Sequence, residues 1–275
     1  MGLIRFAAIG ACASLLLGAC SIQSEKDPFA GRWIDLTHTL GPDSVFWPTA
    51  APYRHEEVMH GHTDGGWFYS SYNIHLSEHG GTHLDAPIHF AEGGQTADQI
   101  PLERLIGPAA VIDVSEQALA NRDYRIAPED LQAWEAEHGE LPQGAIVLFR
   151  TGYDRFWPDP TAYLGTALRG EPGVAALRFP GISETLARIL AEEREVAAVG
   201  IDTASLDYGQ SQDFIAHRIL LERNIPGFEN VAGLDQLPPA GARVIALPAK
   251  IGGGSGGPLR IVALVPPGAE RRSGG

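Results

Sequence analysis

A single α/β domain is the fold class this sequence predicts, and three observations point to it. The chain has 275 residues, 44% hydrophobic and 20% charged, an ordinary globular composition with length enough for one large core. Continuous apolar runs at 109–114, 145–149 and 196–201 read as strands buried on both faces. Helically patterned stretches alternate with these runs, and neither an internal repeat nor a second domain boundary interrupts the series.

At the N-terminus, Arg5 precedes an apolar run over 6–17, followed by Gly18, Ala19 and Cys20. A basic start, a short apolar core and small residues describe a secretory signal, and the run is too short for a comfortable transmembrane helix. Leu17-Gly18-Ala19-Cys20 resembles a bacterial lipobox. That resemblance implies cleavage before Cys20 and lipidation of its thiol, with Ser21 directing a Gram-negative product to the outer membrane. The expected organisation is signal peptide 1–19, polar tether 20–31, folded domain 32–268 and disordered tail 269–275. Cys12 and Cys20 are the only cysteines, so the mature chain would have no disulfide and no cysteine nucleophile. Any metal site must then use His, Asp and Glu.

The elements follow in order. Residues 33–37 alternate and read as a first strand. Phe46 and Trp47 sit in a Pro-rich loop, either plugging the core or walling a pocket for a flat substrate. Residues 71–76 read as a strand in which His75 either makes a structural hydrogen bond or serves as a further metal ligand. After the buried strand at 109–114, residues 128–138 read as a helix, with Pro128 at its start, acids in its first turn and Gly139 at its end. The strand at 145–149 runs into Arg150, Thr151, Gly152 and Tyr153. Residues 154–180 are rich in Pro, Gly and aromatics, an irregular length that is uncommon unless it covers a site. Ser183 begins a helix with Leu186, Ile189 and Leu190 on its apolar face. The strand at 196–201 ends at Asp202, a place for either function or capping. A helix over 213–223 would carry Phe214, His217, Leu220 and Leu221 on one stripe. Strands are expected at 244–247 and 261–265, with a flexible glycine loop at 252–257 between them. That loop is no P-loop, since no Lys-Ser/Thr pair follows its glycines.

The net charge of −14, from 34 Asp and Glu against 20 Lys and Arg, argues against a nucleic-acid partner, which needs a basic face. The acids are scattered, as on a solvated surface.

The chemistry concentrates in His79-Gly80-Gly81-Thr82-His83-Leu84-Asp85-Ala86-Pro87-Ile88-His89. Imidazole and carboxylate are ligands of borderline divalent metals. Two glycines between the first histidines argue for a turn rather than a helix face. His83 and Asp85, two apart on an extended segment, point to the same side. His217 alone would read as a satisfied core histidine, and Glu229 alone as a surface acid.

This motif resembles the signature of the cyclase family of metal-dependent hydrolases, which includes bacterial kynurenine formamidases and isatin hydrolases. The similarity continues in Gly200-Ile201-Asp202-Thr203-Ala204-Ser205-Leu206-Asp207, in His217-Arg218-Ile219-Leu220-Leu221 and in Phe228-Glu229-Asn230. It implies a mixed, barrel-like sheet with helices packed outside, in a homodimer or larger oligomer. It also implies that His79, His83 and Asp85 bind one divalent metal, zinc or manganese. Asp85 would bridge to a second ion held by His217 and Glu229, one ion or two being found among such relatives, and His89 would transfer protons.

The expected activity is hydrolysis of an aryl formamide such as N-formylkynurenine by metal-activated water, with Phe46, Trp47 and Tyr153 walling the substrate. Isatin, another cyclic amide or a lactone is the alternative substrate class. A metal-binding lipoprotein without catalysis is the competing reading, although it has no need of His89. Beyond the substrate and other copies of the chain, the expected contact is with a membrane, through the lipid anchor only.

Overall fold

The apolar runs become the wall of a closed barrel. The computed structural model describes residues 27–269, and the chain divides into units of residues 1–30 and 31–275. The signal-like run, Cys20, most of the expected tether and residues 270–275 of the tail lie outside the described residues. No helix among the described residues is long and apolar enough to cross a membrane.

The described strands are β1 (Arg32–Asp35), β2 (Arg54–His62), β3 (Phe68–His75), β4 (His83–Asp85), β5 (Ile106–Asp113), β6 (Arg125–Ile126), β7 (Ile146–Arg150), β8 (Gly181–Ile182), β9 (Ala198–Ile201), β10 (Gly227–Glu229), β11 (Ala240–Pro248) and β12 (Gly256–Val265). Seven of them close the barrel in the order β12, β11, β5, β7, β9, β10, β4 and back to β12. Neighbours from β5 through β7 and β9 to β10 are parallel, and the remaining pairings are antiparallel. The length of β12 allows this closure. One edge pairs with β11, while the other takes β4 at Gly256–Pro258 and β1 at 262–265.

Alternation along the strands builds two cores. Ala109, Val111, Ile146, Leu148, Val244 and Ile261 share one apolar cluster with Leu84 and Phe228. Their neighbours Ala110, Ile112, Val147, Phe149, Val199 and Ile201 pack with helical Leu131, Trp134, Leu186, Leu190 and Leu220. Each such large side chain, fully buried, contributes roughly 1.5–3 kcal/mol. Covering on both faces explains why these strands are apolar throughout instead of alternating.

The helix expected over 128–138 is observed at Pro128–His138. Asp130 accepts from the Ala127 N–H at 2.8 Å, and Gly139 leaves the helix with φ 86°. Ser183 caps the next helix, Glu184–Glu192, accepting from Leu186 N at 3.3 Å. The third helix is shorter than expected, Ile215–Glu222, because Phe214 takes a left-handed conformation with φ 48°. Phe214 therefore leaves the apolar stripe.

Three further departures have physical causes. The strand expected at 71–76 is the second arm of a separate hairpin, β2–β3, whose His75 Nε2 lies 3.0 Å from Glu56 Oε2. Gly256 and Gly257, expected in a flexible loop, belong to β12 and pair with Asp85 and Leu84. A Cβ at Gly256 would stand 2.5 Å from Leu84 O and 2.7 Å from His79 Cε1, so only glycine permits this approach. The irregular segment 154–180 holds the short helices Pro160–Leu164 and Glu171–Ala175. Its Tyr163, Leu177 and Phe179 pack with Val45 and Tyr153 in a third apolar cluster.

Candidate active site

Strands β4 and β10 lie side by side, with His83 opposite Glu229, Leu84 opposite Phe228 and Asp85 opposite Gly227. Leu84 and Phe228 join the first core, so His83, Asp85 and Glu229 project from the other face of the wall. All three are buried there, at 3%, 1% and 4% exposure. The turn at Gly81, with φ 65°, brings His79 back toward Asp85. A 3-10 turn, Pro87–His89, stacks His89 on the His79 ring at 3.9 Å between centroids. The helix Ile215–Glu222 lays His217 across the carboxylates.

Asp85 is the hub. Its Oδ1 lies 2.6 Å from His79 Nδ1 and 3.3 Å from His83 Nε2, and its Oδ2 lies 3.1 Å from His217 Nε2. Glu229 closes the far side, with Oε1 2.9 Å from His217 Nε2 and Oε2 3.4 Å from His83 Nε2. The outer ring nitrogens are held as well. His83 Nδ1 meets Gly81 O at 2.9 Å, and His217 Nδ1 meets Asp207 Oδ2 at 2.7 Å. Asp207 is itself fixed by the backbone N–H groups of Ala216 and His217 at 3.0 and 3.1 Å. Glu229 Oε1 also accepts from Leu206 N at 2.8 Å.

Charge is concentrated in this buried space. Burial opposes a charge on His83, but the Asp85 and Glu229 carboxylates outweigh it and hold the ring at about 9. Burial likewise opposes a charged His217, and Asp207, Asp85 and Glu229 carry it well above its ordinary value. Burial also works against the Asp85 carboxylate, yet His83, His217 and His79 keep it well below the usual range. Glu229 is pushed up, by burial first and then by Asp85. His89 is lowered to about 4, chiefly by burial.

The residues present fit a divalent cation. His83 Nε2 is buried without a hydrogen-bond partner and faces two carboxylates. A cation between them would satisfy that nitrogen, and an imidazole–carboxylate donor set suits borderline metals. Potential ligand atoms lie within 4.8 Å of one another in two groups, His79, Asp85 and His89, and His83, Asp85 and Glu229. The structure thus gathers the other four expected ligands, His79, His83, His217 and Glu229, about Asp85. It groups His83 with Glu229, and it brings His89, assigned above to proton transfer, within ligand reach.

A cavity of about 370 Å³ opens on this centre. Phe46 and Trp47 line it, together with Phe90 and Phe214. The Phe214 ring lies 6.2 Å from Trp47 and 5.3 Å from Phe90 between centroids. Tyr153 corrects the expectation, because it does not line the cavity. It is 1% exposed, in the third apolar cluster, with its ring 5.3 Å from Phe156. The cause lies just before it, where Asp202 accepts from Thr151 N, Thr151 Oγ1 and Gly152 N at 2.8, 2.5 and 2.8 Å. That clamp turns the chain into the core. Phe90 and Phe214 escaped the sequence reading because nothing in local periodicity marks a pocket wall. Asp207 escaped it because its partner lies ten residues away across a loop.

A family model described as "Putative cyclase" matches residues 34–208. An isatin hydrolase of Roseibium aggregatum is 33% identical over 248 residues, covering 85% of this chain and 91% of that protein. A kynurenine formamidase of Salinibacter ruber is 32% identical over 237 residues, covering 83% and 95%. Among solved structures, isatin hydrolase A from Labrenzia aggregata, bound to benzyl benzoate, superposes with TM-score 0.76 at 37% identity, covering 85% of this chain and 93% of its own. An isatin hydrolase bound to the product analogue thioisatinate gives TM-score 0.76 at 32% identity, covering 85% and 92%.

Proposed function

The chain belongs to the cyclase family, and from that premise we propose that it is a metal-dependent hydrolase that cleaves the amide bond of a small aromatic substrate. The observation that carries this reading is the juxtaposition of an aromatic-walled cavity with a buried cluster of imidazoles and carboxylates.

His79, His83, Asp85, His217 and Glu229 would hold the ion, zinc and manganese both suiting such donors. A bound divalent ion supplies water acidified toward hydroxide near neutral pH and polarises a carbonyl oxygen. Asp207 and Gly81 O hold the His217 and His83 rings in place. His89 lines the cavity beside His79, and its lowered value keeps the ring neutral at pH 7 and open to a proton. It takes the proton of the attacking water as the new C–O bond forms, then delivers it to nitrogen as the C–N bond breaks. Phe46, Trp47, Phe90 and Phe214 hold a flat ring against the centre and exclude water from around it.

Two substrates fit this chemistry, and one feature ranks them. Among the described residues, the cavity lining has no Lys or Arg. None of the described lining residues is thus a Lys or Arg that could meet the amino-acid carboxylate of N-formylkynurenine, whereas a neutral cyclic amide such as isatin needs none. Isatin-type cyclic amides therefore rank first, and N-formylkynurenine and related aryl formamides second. With lipid on Cys20, the enzyme would act outside the cytoplasm on compounds reaching the bacterial envelope.

The test is turnover of isatins, aryl formamides and lactones by protein loaded with zinc or manganese. Ring opening of isatin that disappears on chelation and returns with metal is the expected result. Tight metal binding with no hydrolysis across the panel would overturn the reading and favour a non-catalytic metal-binding lipoprotein.

A further inference from the structure

His79 differs from the other imidazoles in the nitrogen it turns toward the centre. His83 and His217 each present Nε2 and anchor Nδ1 on an acceptor. His79 is reversed, with Nδ1 2.6 Å from Asp85 Oδ1 and Nε2 2.9 Å from Ser255 Oγ. The cause lies in the glycine run that the proposed chemistry leaves unused. Backbone bonds from Ala86 N to Ser255 O and from Ala97 N to Gly254 O, both 2.9 Å, fix this run against the end of β4. Glu78 reaches across to it, and its Oε2 accepts from Ser255 N at 2.9 Å and from Ser255 Oγ at 2.7 Å. Gly254 leaves room for that carboxylate, since a Cβ there would stand 3.0 Å from Glu78 Oε1.

A carboxylate accepts hydrogen bonds and cannot donate them. The single hydroxyl hydrogen of Ser255 is therefore committed to Glu78, and an oxygen lone pair faces His79. That lone pair calls for a hydrogen on Nε2, so Nδ1, which without a metal donates to Asp85 Oδ1 at 2.6 Å, is the nitrogen left to give up its hydrogen to a metal at the centre. We propose that Glu78 and Ser255 are positioning residues that fix the Nε2–H tautomer of His79 and so select Nδ1 as the atom this ring offers to a metal. The inference rests on the metal reading given above. It assigns the segment 252–257 a purpose, which is to carry one hydroxyl to the back of a ligand ring.

The test combines histidine ¹⁵N spectra of zinc-loaded protein with zinc affinity measured against a competing chelator. Wild-type His79 is expected to carry its hydrogen on Nε2. Ser255→Ala should lose that preference and bind zinc roughly 10–100-fold more weakly, the usual cost of removing a partner behind a ligand. Ser255→Thr, which keeps the hydroxyl, should restore both. Glu78→Ala frees the hydroxyl to rotate and should give mixed tautomers in a protein that still folds. A hydrogen on Nδ1 in the wild type, or unchanged zinc affinity in Ser255→Ala, overturns this inference alone. Wild-type protein that binds no zinc overturns the metal reading and the inference with it.

Discussion

Zinc binding to the metal-free protein should release protons at neutral pH, and its affinity should climb steeply up to about pH 9. The prediction starts from His83, which the Asp85 and Glu229 carboxylates hold at about 9 against the effect of burial. At pH 7 such a ring is charged in all but about one molecule in a hundred. A metal ligand must be neutral imidazole, so the proton has to leave first. One pH unit corresponds to about 1.4 kcal/mol, or tenfold. Apparent affinity should therefore rise about 50-fold between pH 7 and 9 on account of His83, and level off above that. His217, also carried well above its ordinary value, adds a proton in the same sense. The sign for stability is the reverse. A raised value in the folded state stabilises fully below the ordinary value of 6.5 and is lost as pH rises through about 9. Metal-free protein should thus melt at progressively lower temperature across that window. Calorimetric titration in two buffers of different ionisation heat counts the protons, and at least one is expected at pH 7. Buffer-independent heats with affinity flat from pH 7 to 9 would refute the reasoning, because His83 would then already be neutral among the carboxylates.

Asp207→Asn removes the charged acceptor behind His217, and zinc affinity by chelator competition should fall roughly 10–100-fold. Gly256→Ala puts a methyl group 2.5 Å from Leu84 O and 2.7 Å from the His79 ring, so denaturant melts should show a loss of about 1–3 kcal/mol. Phe214→Ala removes a cavity wall worth about 0.5–1.5 kcal/mol of ring contact and should raise KM for isatin by a few-fold, whereas Tyr153→Phe should leave KM unchanged.

What could be read from the sequence follows burial. The strands around 109–114, 145–149 and 196–201 are apolar on both faces because barrel interior and helices cover them, so they stand out as runs. The His79–His89 motif was legible because one short strand places His83 and Asp85 two residues apart. Glu229 could not be placed this way. Its strand is three residues long, and its partnership with His83 exists only through the register of β10 on β4. The hairpin arm β2 was missed because its sequence is polar and its side chains are mostly exposed, leaving no buried pattern to detect. Phe214 was assigned to a helix stripe by spacing, but a left-handed residue at the helix start turned it into the cavity. Tyr153 misled for the converse reason. It follows a buried strand in a loop, as pocket residues often do, but the Asp202 clamp directs it inward. The glycine run looked flexible because glycine has no side chain to show what lies against it, and here that neighbour is the His79 ring.

The central claim is that His79, His83, Asp85, His217 and Glu229 form one metal centre around a shared carboxylate. Anomalous diffraction from crystals grown with zinc or manganese tests it most directly. The account predicts an ion bound by Asp85, with His217 Nε2 and Glu229 turned toward the same centre. Metal absent from Asp85, with His217 still hydrogen-bonded to both carboxylates, would contradict it.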